Sequence, residues 1–404
     1  MDLMGVYNVL PAFAQNLAFS AAGAKIQRTR YGIGFRKMLE EFESHADWSK
    51  EQLIDWRDEK LRDLVQHAYK TVPYYRETMD EGGIDPASIR SGEDLAKLPL
   101  LTKDMVKANP EKFVSNEIGK MNVLHVHTSG TTGSGFQFDS TIECQQAQFA
   151  CFWRYYHQHG LTQDTWQAQF SSRNAVPKRV QKPPFWRIDK PGRRYYFSAF
   201  HESSANLKSY YDVIMEKQFK WISGYPSLMT LLAQWMNERG LRFDFVEAVT
   251  CGAENLLDHQ IDAMERAFGV RPVQTYGQTE NVAIFSQQPD GRILVDEDFS
   301  VVEFLPNESG GVLRLLERAY SITRHRLYAT ARKISQRLQT GEDPEGKFFL
   351  WMGAARIISF FRTGRRWASS TRCSRTPLIS RRRRFTRGPI IQSCSALWGS
   401  HTCA

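Results

Sequence analysis

Leu61, Leu64, Val65 and Ala68 recur at the i, i+3, i+4, i+7 spacing of one helical face, and Ser49 with Gln52 makes a capping box ahead of them. The pattern predicts a helix with one buried side that ends at Val72-Pro73. A shorter helix follows from Tyr74-Tyr75 and closes at Gly82-Gly83. Ser91 to Leu101 reads as a connector carrying Pro99, with a further helical piece from Thr102. Upstream, Val9 to Ala24 is weakly apolar, interrupted by Pro11 and Gly23 and followed by Lys25, Arg28 and Arg30. Residues 1–34 are read as a segment packing on the body, with peripheral docking on a membrane as the alternative.

Beyond this helical prelude the pattern alternates. Val123 to His127 predicts a buried strand, then a Gly/Ser/Thr loop, then a helix opened by Ser140 with Glu143 as its capping partner. Leu228, Leu231, Leu232, Trp235 and Met236 share a helical face closed by Gly240. Phe245 to Thr250 reads as a strand, Leu257, Ile261, Met264 and Phe268 as a helical stripe, and Pro272 to Thr275 as another strand. Strand, loop and helix in succession predict an α/β layered domain with ligand loops at the carboxyl ends of strands. From about Gly311 the periodicity fades, and no element can be assigned.

The length of 404 residues, 42% of them hydrophobic, allows a large core and a second small domain. No apolar run reaches the roughly 18 to 20 residues of a membrane span, and Met1-Asp2 lacks the charge of a secretory signal, so the expectation is a cytoplasmic protein. The net charge of +9 invites nucleic acid as a partner, but it is unevenly spread. Residues 1–310 hold 34 basic and 40 acidic residues, whereas 311–404 hold 19 and 4, with no acid after Glu345. Six cysteines without a CxxC pair argue for a reducing compartment and against a zinc ribbon.

Candidate chemistry sits in three segments. Thr128-Ser129-Gly130-Thr131-Thr132-Gly133-Ser134-Gly135 joins backbone freedom to hydroxyls and successive N–H groups, the makings of a phosphate cradle, although the GK[ST] ending of a Walker A loop is missing. Gly252-Ala253-Glu254 stands where a strand meets a helix. Tyr276-Gly277-Gln278-Thr279-Glu280 stands where the next strand ends, with Tyr276 able to stack on a base and Glu280 able to hold Mg²⁺. His125 and His127 lack a third ligand and Cys251 lacks a base, so they read as structural. Trp221 and Tyr225 are either acyl-pocket or core aromatics.

In this order the three segments resemble the nucleotide-binding motifs of the adenylate-forming enzymes, in the phenylacetate-CoA ligase and CapK-like group. Leu61 to Tyr75 and Leu98-Pro99-Leu100-Leu101-Thr102-Lys103 resemble that group's opening region, and the resemblance covers roughly residues 35–310. It implies a large α/β domain followed by a small mobile one. It also implies ATP-dependent activation of a small-molecule carboxylate through an acyl-adenylate, with coenzyme A or another thiol as acceptor; the confinement of the positive charge to 311–404 argues separately against a nucleic-acid partner. By that resemblance Ser129 to Gly133 clasp the phosphates, Gly252, Ala253, Glu254 and Tyr276 frame the adenine, and Thr132 with Glu280 position Mg²⁺. The alternative it leaves is an inactive or nucleotide-binding relative linked to surface polysaccharide assembly.

Two departures qualify the expectation. The loop continues as Ser134-Gly135-Phe136-Gln137 where the family places a proline, and no Arg-Tyr-x-Thr-Gly-Asp segment follows Glu280. The nearest text, Arg326 to Arg332, lacks the Gly and the Asp, and after residue 310 only Lys333 and Lys347 are available as an adenylate-directed lysine. The abrupt change of composition predicts a shifted reading frame near codon 311, a basic arm for nucleic acid or lipid being the competing account. The domain reading is therefore an N-terminal segment at 1–34, an adenylate-forming domain at 35–310 and a basic tail without native structure at 311–404.

Overall fold

The computed structural model describes residues 3–120, 122–127, 137–171, 173 and 175–302, together with the backbone of three short strands at 320–321, 338–342 and 348–352. Helices α1 (Leu3–Val9), α2 (Ala12–Arg30), α3 (Ile33–Ser44), α4 (Lys50–Thr71), α5 (Pro73–Glu81) and α6 (Lys103–Ala108) form the prelude. Ser49 caps α4 reciprocally with Gln52, as the spacing predicts, and Leu61, Leu64, Val65 and Ala68 are all buried. They pack on Val72, Tyr75 and Met79 of the following turn and helix and on Ile89, Leu95 and Leu98 of the connector.

Strands β1 (Val123–His127) and β2 (Gln137–Thr141) pair antiparallel, with His127 opposite Gln137. This corrects the sequence reading twice. The segment after His127 connects two strands of a hairpin rather than a strand and a helix, and β1 is not buried, since Val123 and Leu124 are half-buried and His125 is exposed. Helix α7 (Ile142–Gln158) is capped by Thr141, whose Oγ1 accepts the Cys144 N–H at 3.2 Å, and not by Ser140, which belongs to β2 and is buried.

The main sheet contains β3 (Gln167–Ser171), β4 (Trp186–Asp189), β5 (Arg194–Ser198), β6 (Trp221–Gly224), β7 (Ala248–Cys251), β8 (Val273–Gly277), β9 (Ile284–Gln287) and β10 (Ile293–Val295). β11 (Ser300–Val301) pairs separately with β12 (Tyr320–Ser321). Within 311–404 the structure also describes β13 (Leu338–Glu342) and β14 (Phe348–Met352), which extend the sheet so that it runs β4-β5-β3-β6-β7-β8-β9-β10-β14-β13. The central five, β5-β3-β6-β7-β8, are parallel.

Helices α8 (Ser204–Lys217), α9 (Pro226–Asn237) and α10 (Asp258–Phe268) cover one face of the sheet. α3 and α7 cover the other. Along β3, Ala168 and Phe170 face the α8–α10 core, and the intervening Gln167, Gln169 and Ser171 are equally buried on the opposite side. The predicted strand from Phe245 enters the ladder only at Ala248, because the N–H groups of Glu247 and Ala248 both go to the Lys220 carbonyl. On α9 the buried stripe is Met229, Leu232, Ala233 and Met236, which leaves Leu231 exposed rather than inward. Leu257, expected on the inner stripe, is 37% exposed and stands at the N-cap of α10. The α/β layering expected from the alternating pattern is present.

Candidate functional site

Parallel pairing brings the carboxyl ends of β5, β3, β6, β7 and β8 to one edge of the sheet. β7 and β8 are neighbours in register, Cys251 lying opposite Gln274, so Gly252-Ala253-Glu254 and Tyr276 to Glu280 leave the sheet side by side. The close approach at this edge depends on Gly224 at the end of β6, with φ +144°. A Cβ there would stand 1.8 Å from the Phe170 carbonyl oxygen.

The loop after β7 is held under strain. Ala253 has φ +68°, a left-handed conformation that a non-glycine residue adopts at a cost, and such costs gather at binding sites. Glu254 anchors it: its carboxylate accepts the Ser227 N–H at 3.0 Å and the Ser227 hydroxyl at 3.0 Å, at the first turn of α9.

The loop after β8 is organised around Gln278, which is buried. Its side-chain amide donates to the Tyr276 hydroxyl at 2.8 Å, and its backbone carbonyl accepts from the Gln148 side chain of α7 at 2.9 Å. Tyr276 stacks on Phe285, with centroids 5.0 Å apart and planes at 17°, so one face of its ring is covered. Gly277 meets α7 closely, since a Cβ would come within 2.9 Å of the Phe152 ring. Glu280 is 8% exposed and makes no hydrogen bond or ion pair among the described residues; Asn281 after it has φ +56°. Thr128 to Gly135, including Thr131 and Thr132, lie outside the described residues.

No family model matches the chain. It is 23% identical to "Protein CapK" of Staphylococcus aureus over 299 residues, 74% of this chain and 65% of that protein. It is 36% identical to a phenylacetate-coenzyme A ligase of Thermus thermophilus over 85 residues, 21% of this chain and 19% of the ligase. These matches therefore span less than two thirds of either relative. A 2-hydroxyisobutyryl-CoA ligase, crystallised with 2-HIB-AMP and CoA, shares the fold at TM-score 0.54 and 17% identity, over 76% of this chain and 68% of that one. The chain is thus similar in sequence to CapK and, over a shorter stretch, to phenylacetate-coenzyme A ligases, and it shares the fold of an adenylate-forming ligase.

The CapK-like chain also carries groups at this edge that the sequence did not announce. At the end of β5, Ser198 Oγ and His201 Nδ1 lie 2.7 Å apart, Phe185 stacks on the imidazole, and both carboxylate oxygens of Glu202 are buried without a partner among the described residues. Burial pushes the Glu202 carboxyl up to about 9, so it is protonated at neutral pH. A buried knot behind α7 joins Arg154 to Asp296 and Asp298, with His45 Nδ1 2.9 Å from Asp298. Burial raises Asp296 to about 6. It raises Asp298 as well, but Arg154 and His45 outweigh it there and hold that carboxyl low.

Among the other residues raised by the sequence, Cys251 is buried, and burial pushes its thiol well up, which removes it as a nucleophile. His125 pairs across the hairpin with Asp139 at 2.6 Å. Trp221 is core, its indole N–H donating to Thr250 Oγ1 at 2.8 Å. A cavity of about 560 Å³ lined by Trp166, Tyr195, Lys217 and Phe219 opens at the amino ends of β3 and β6, the opposite end of the sheet from these loops.

Proposed function

We propose that this CapK-like chain activates a small-molecule carboxylate, aromatic or hydroxylated, with ATP. The carboxylate oxygen attacks the α-phosphorus and pyrophosphate leaves. The sulfur of coenzyme A then attacks the acyl carbon and AMP leaves. The observation that carries this reading is Glu280, a buried carboxylate with no hydrogen bond or ion pair among the described residues, on the loop beside the strained Gly252-Ala253-Glu254 turn. Ligands of open parallel sheets bind at this edge. The phenylacetate-CoA ligases to which the chain is similar, and the acyl-adenylate and CoA held by the 2-hydroxyisobutyryl-CoA ligase, support it.

In this reading Thr128, Ser129, Gly130, Thr131, Thr132 and Gly133 clasp the phosphates. Gly252, Ala253, Glu254 and Tyr276 frame the adenine, with Gly277, Gln278 and Thr279 supporting. Glu280 and Thr132 fit Mg²⁺. Glu280 and Thr132 would hold that ion by their oxygens, the ligand type Mg²⁺ favours. When bound, such an ion supplies neutralisation of phosphate charge.

The test is pyrophosphate release with ATP and Mg²⁺ across a panel of carboxylic acids. At least one acid should give turnover, and Glu280→Gln should lower it on the order of 100-fold. A second reading, nucleotide binding without turnover, is favoured by the missing Arg-Tyr-x-Thr-Gly-Asp segment after Glu280. A CapK-like binder of that kind would serve surface polysaccharide assembly without catalysis. ATP that raises the melting temperature while no acid releases pyrophosphate would establish it and sink the first.

A further inference from the structure

Helix α2 leaves several of its apolar side chains in solvent. At about 100° per residue, Phe13, Leu17, Ala21, Lys25 and Arg28 fall within a sector of about 120°, and all are exposed. The opposite face is docked by polar groups and by Phe19, which packs on Ala175, Val176 and Tyr196. Arg187 Nε donates to Gln15 Oε1 at 2.5 Å, Asn16 accepts the Ile188 N–H at 3.0 Å, Ser20 donates to the Ile188 carbonyl at 3.1 Å, and Gly23 lies against Asp189. Phe13, Leu17 and, just before α2, Val9 expose 70%, 68% and 62% of their surface, and Met4 and Val6 of α1 are exposed as well.

The charge around this apolar face has one sign. Residues 3–39 contain no acid, and from Trp166 to His201 the sole acid is Asp189, buried beneath Gly23. Lys25, Arg28, Arg179 and Lys190 are exposed and make no ion pair among the described residues. Arg179 reaches the Asn8 carbonyl beside α1, and the Lys190 N–H donates to Ser20 Oγ, so both flank the face.

We propose that α1 and α2 dock on an anionic lipid bilayer, with Phe13 and Leu17 in the headgroup boundary and Lys25, Arg28, Arg179 and Lys190 on the lipid phosphates. No helix among the described residues is long and apolar enough to cross a membrane, so the contact is with the surface. Charge decides against two other occupants. Residues 311–404 carry 19 basic and 4 acidic residues, and a second copy would bring the same cations face to face. The proposal is independent of the carboxylate-activation reading.

The test is flotation of the full chain with mixed phosphatidylcholine–phosphatidylglycerol vesicles and with pure phosphatidylcholine vesicles. Wild type should float with the anionic vesicles and lose binding as salt rises. F13Q/L17Q should reduce the bound fraction on the order of 10-fold at an unchanged melting temperature, and K25E/R28E should weaken binding and flatten its salt dependence. Three results would overturn the proposal: equal flotation with neutral vesicles, equal flotation of F13Q/L17Q because the basic tail carries the contact, or no flotation together with a dimer that F13Q/L17Q disperses.

Discussion

In α4 the side chains Leu61, Leu64, Val65 and Ala68 are at most 2% exposed, whereas α2 buries Gln15, Gly23 and Arg30 and leaves Phe13 and Leu17 in solvent. Both helices are long, and both contact the rest of the protein along one side. The difference lies in what each meets. α4 meets the apolar residues of α5 and the connector. α2 meets a mixed surface: the buried Arg187 and Asp189 of β4, which need hydrogen-bonding or close-fitting neighbours, and Ala175, Val176 and Tyr196, on which Phe19 packs. A helix turns toward its partner the face that matches the partner's chemistry, so apolar spacing identifies the inner face reliably only where the partner is apolar throughout.

Breaking the apolar contact should have the largest effect. Leu64→Ala should cost about 2–5 kcal/mol in denaturant unfolding, the range for a fully buried leucine. Gly23→Ala comes next. Its Cβ would stand 1.9 Å from Asp189 Oδ1, and forcing that fit should cost about 1–3 kcal/mol, measured the same way. Ser49→Ala removes one half of the α4 capping box and should cost about 1 kcal/mol. Phe13→Ser should change stability by less than about 0.5 kcal/mol. A loss of about 2 kcal/mol there would show that Phe13 is covered in the free protein and would abolish the contrast between the two helices.

The α4 cap, its buried stripe and strands near β7 and β8 were legible because they are local: a capping box spans three residues and a helical stripe about two turns. β1 was misread as a buried strand because an apolar run does not reveal whether a second layer covers it. The candidate site divides the same way. Gly252-Ala253-Glu254 and Tyr276 to Glu280 could be found as turn chemistry following strands, and the register of β7 with β8 brings them together. Gln148 on the Gln278 carbonyl and Arg154 on Asp298 join residues 130 and 144 positions apart, and no short spacing encodes them. The buried Glu202 was invisible for a related reason, since a carboxylate beside Ser203-Ser204 reads as surface until the packing of β5 and α8 is known.

The bond between Glu254 and Ser227 has a consequence for detecting ligands. Since that carboxylate holds the first turn of α9, a molecule that draws Glu254 toward itself releases the Ser227 amide, and one that tightens the turn protects it. Deuterium uptake at the start of α9 then becomes a gauge of occupancy for a loop on the neighbouring strand, readable without turnover and without knowing the ligand in advance.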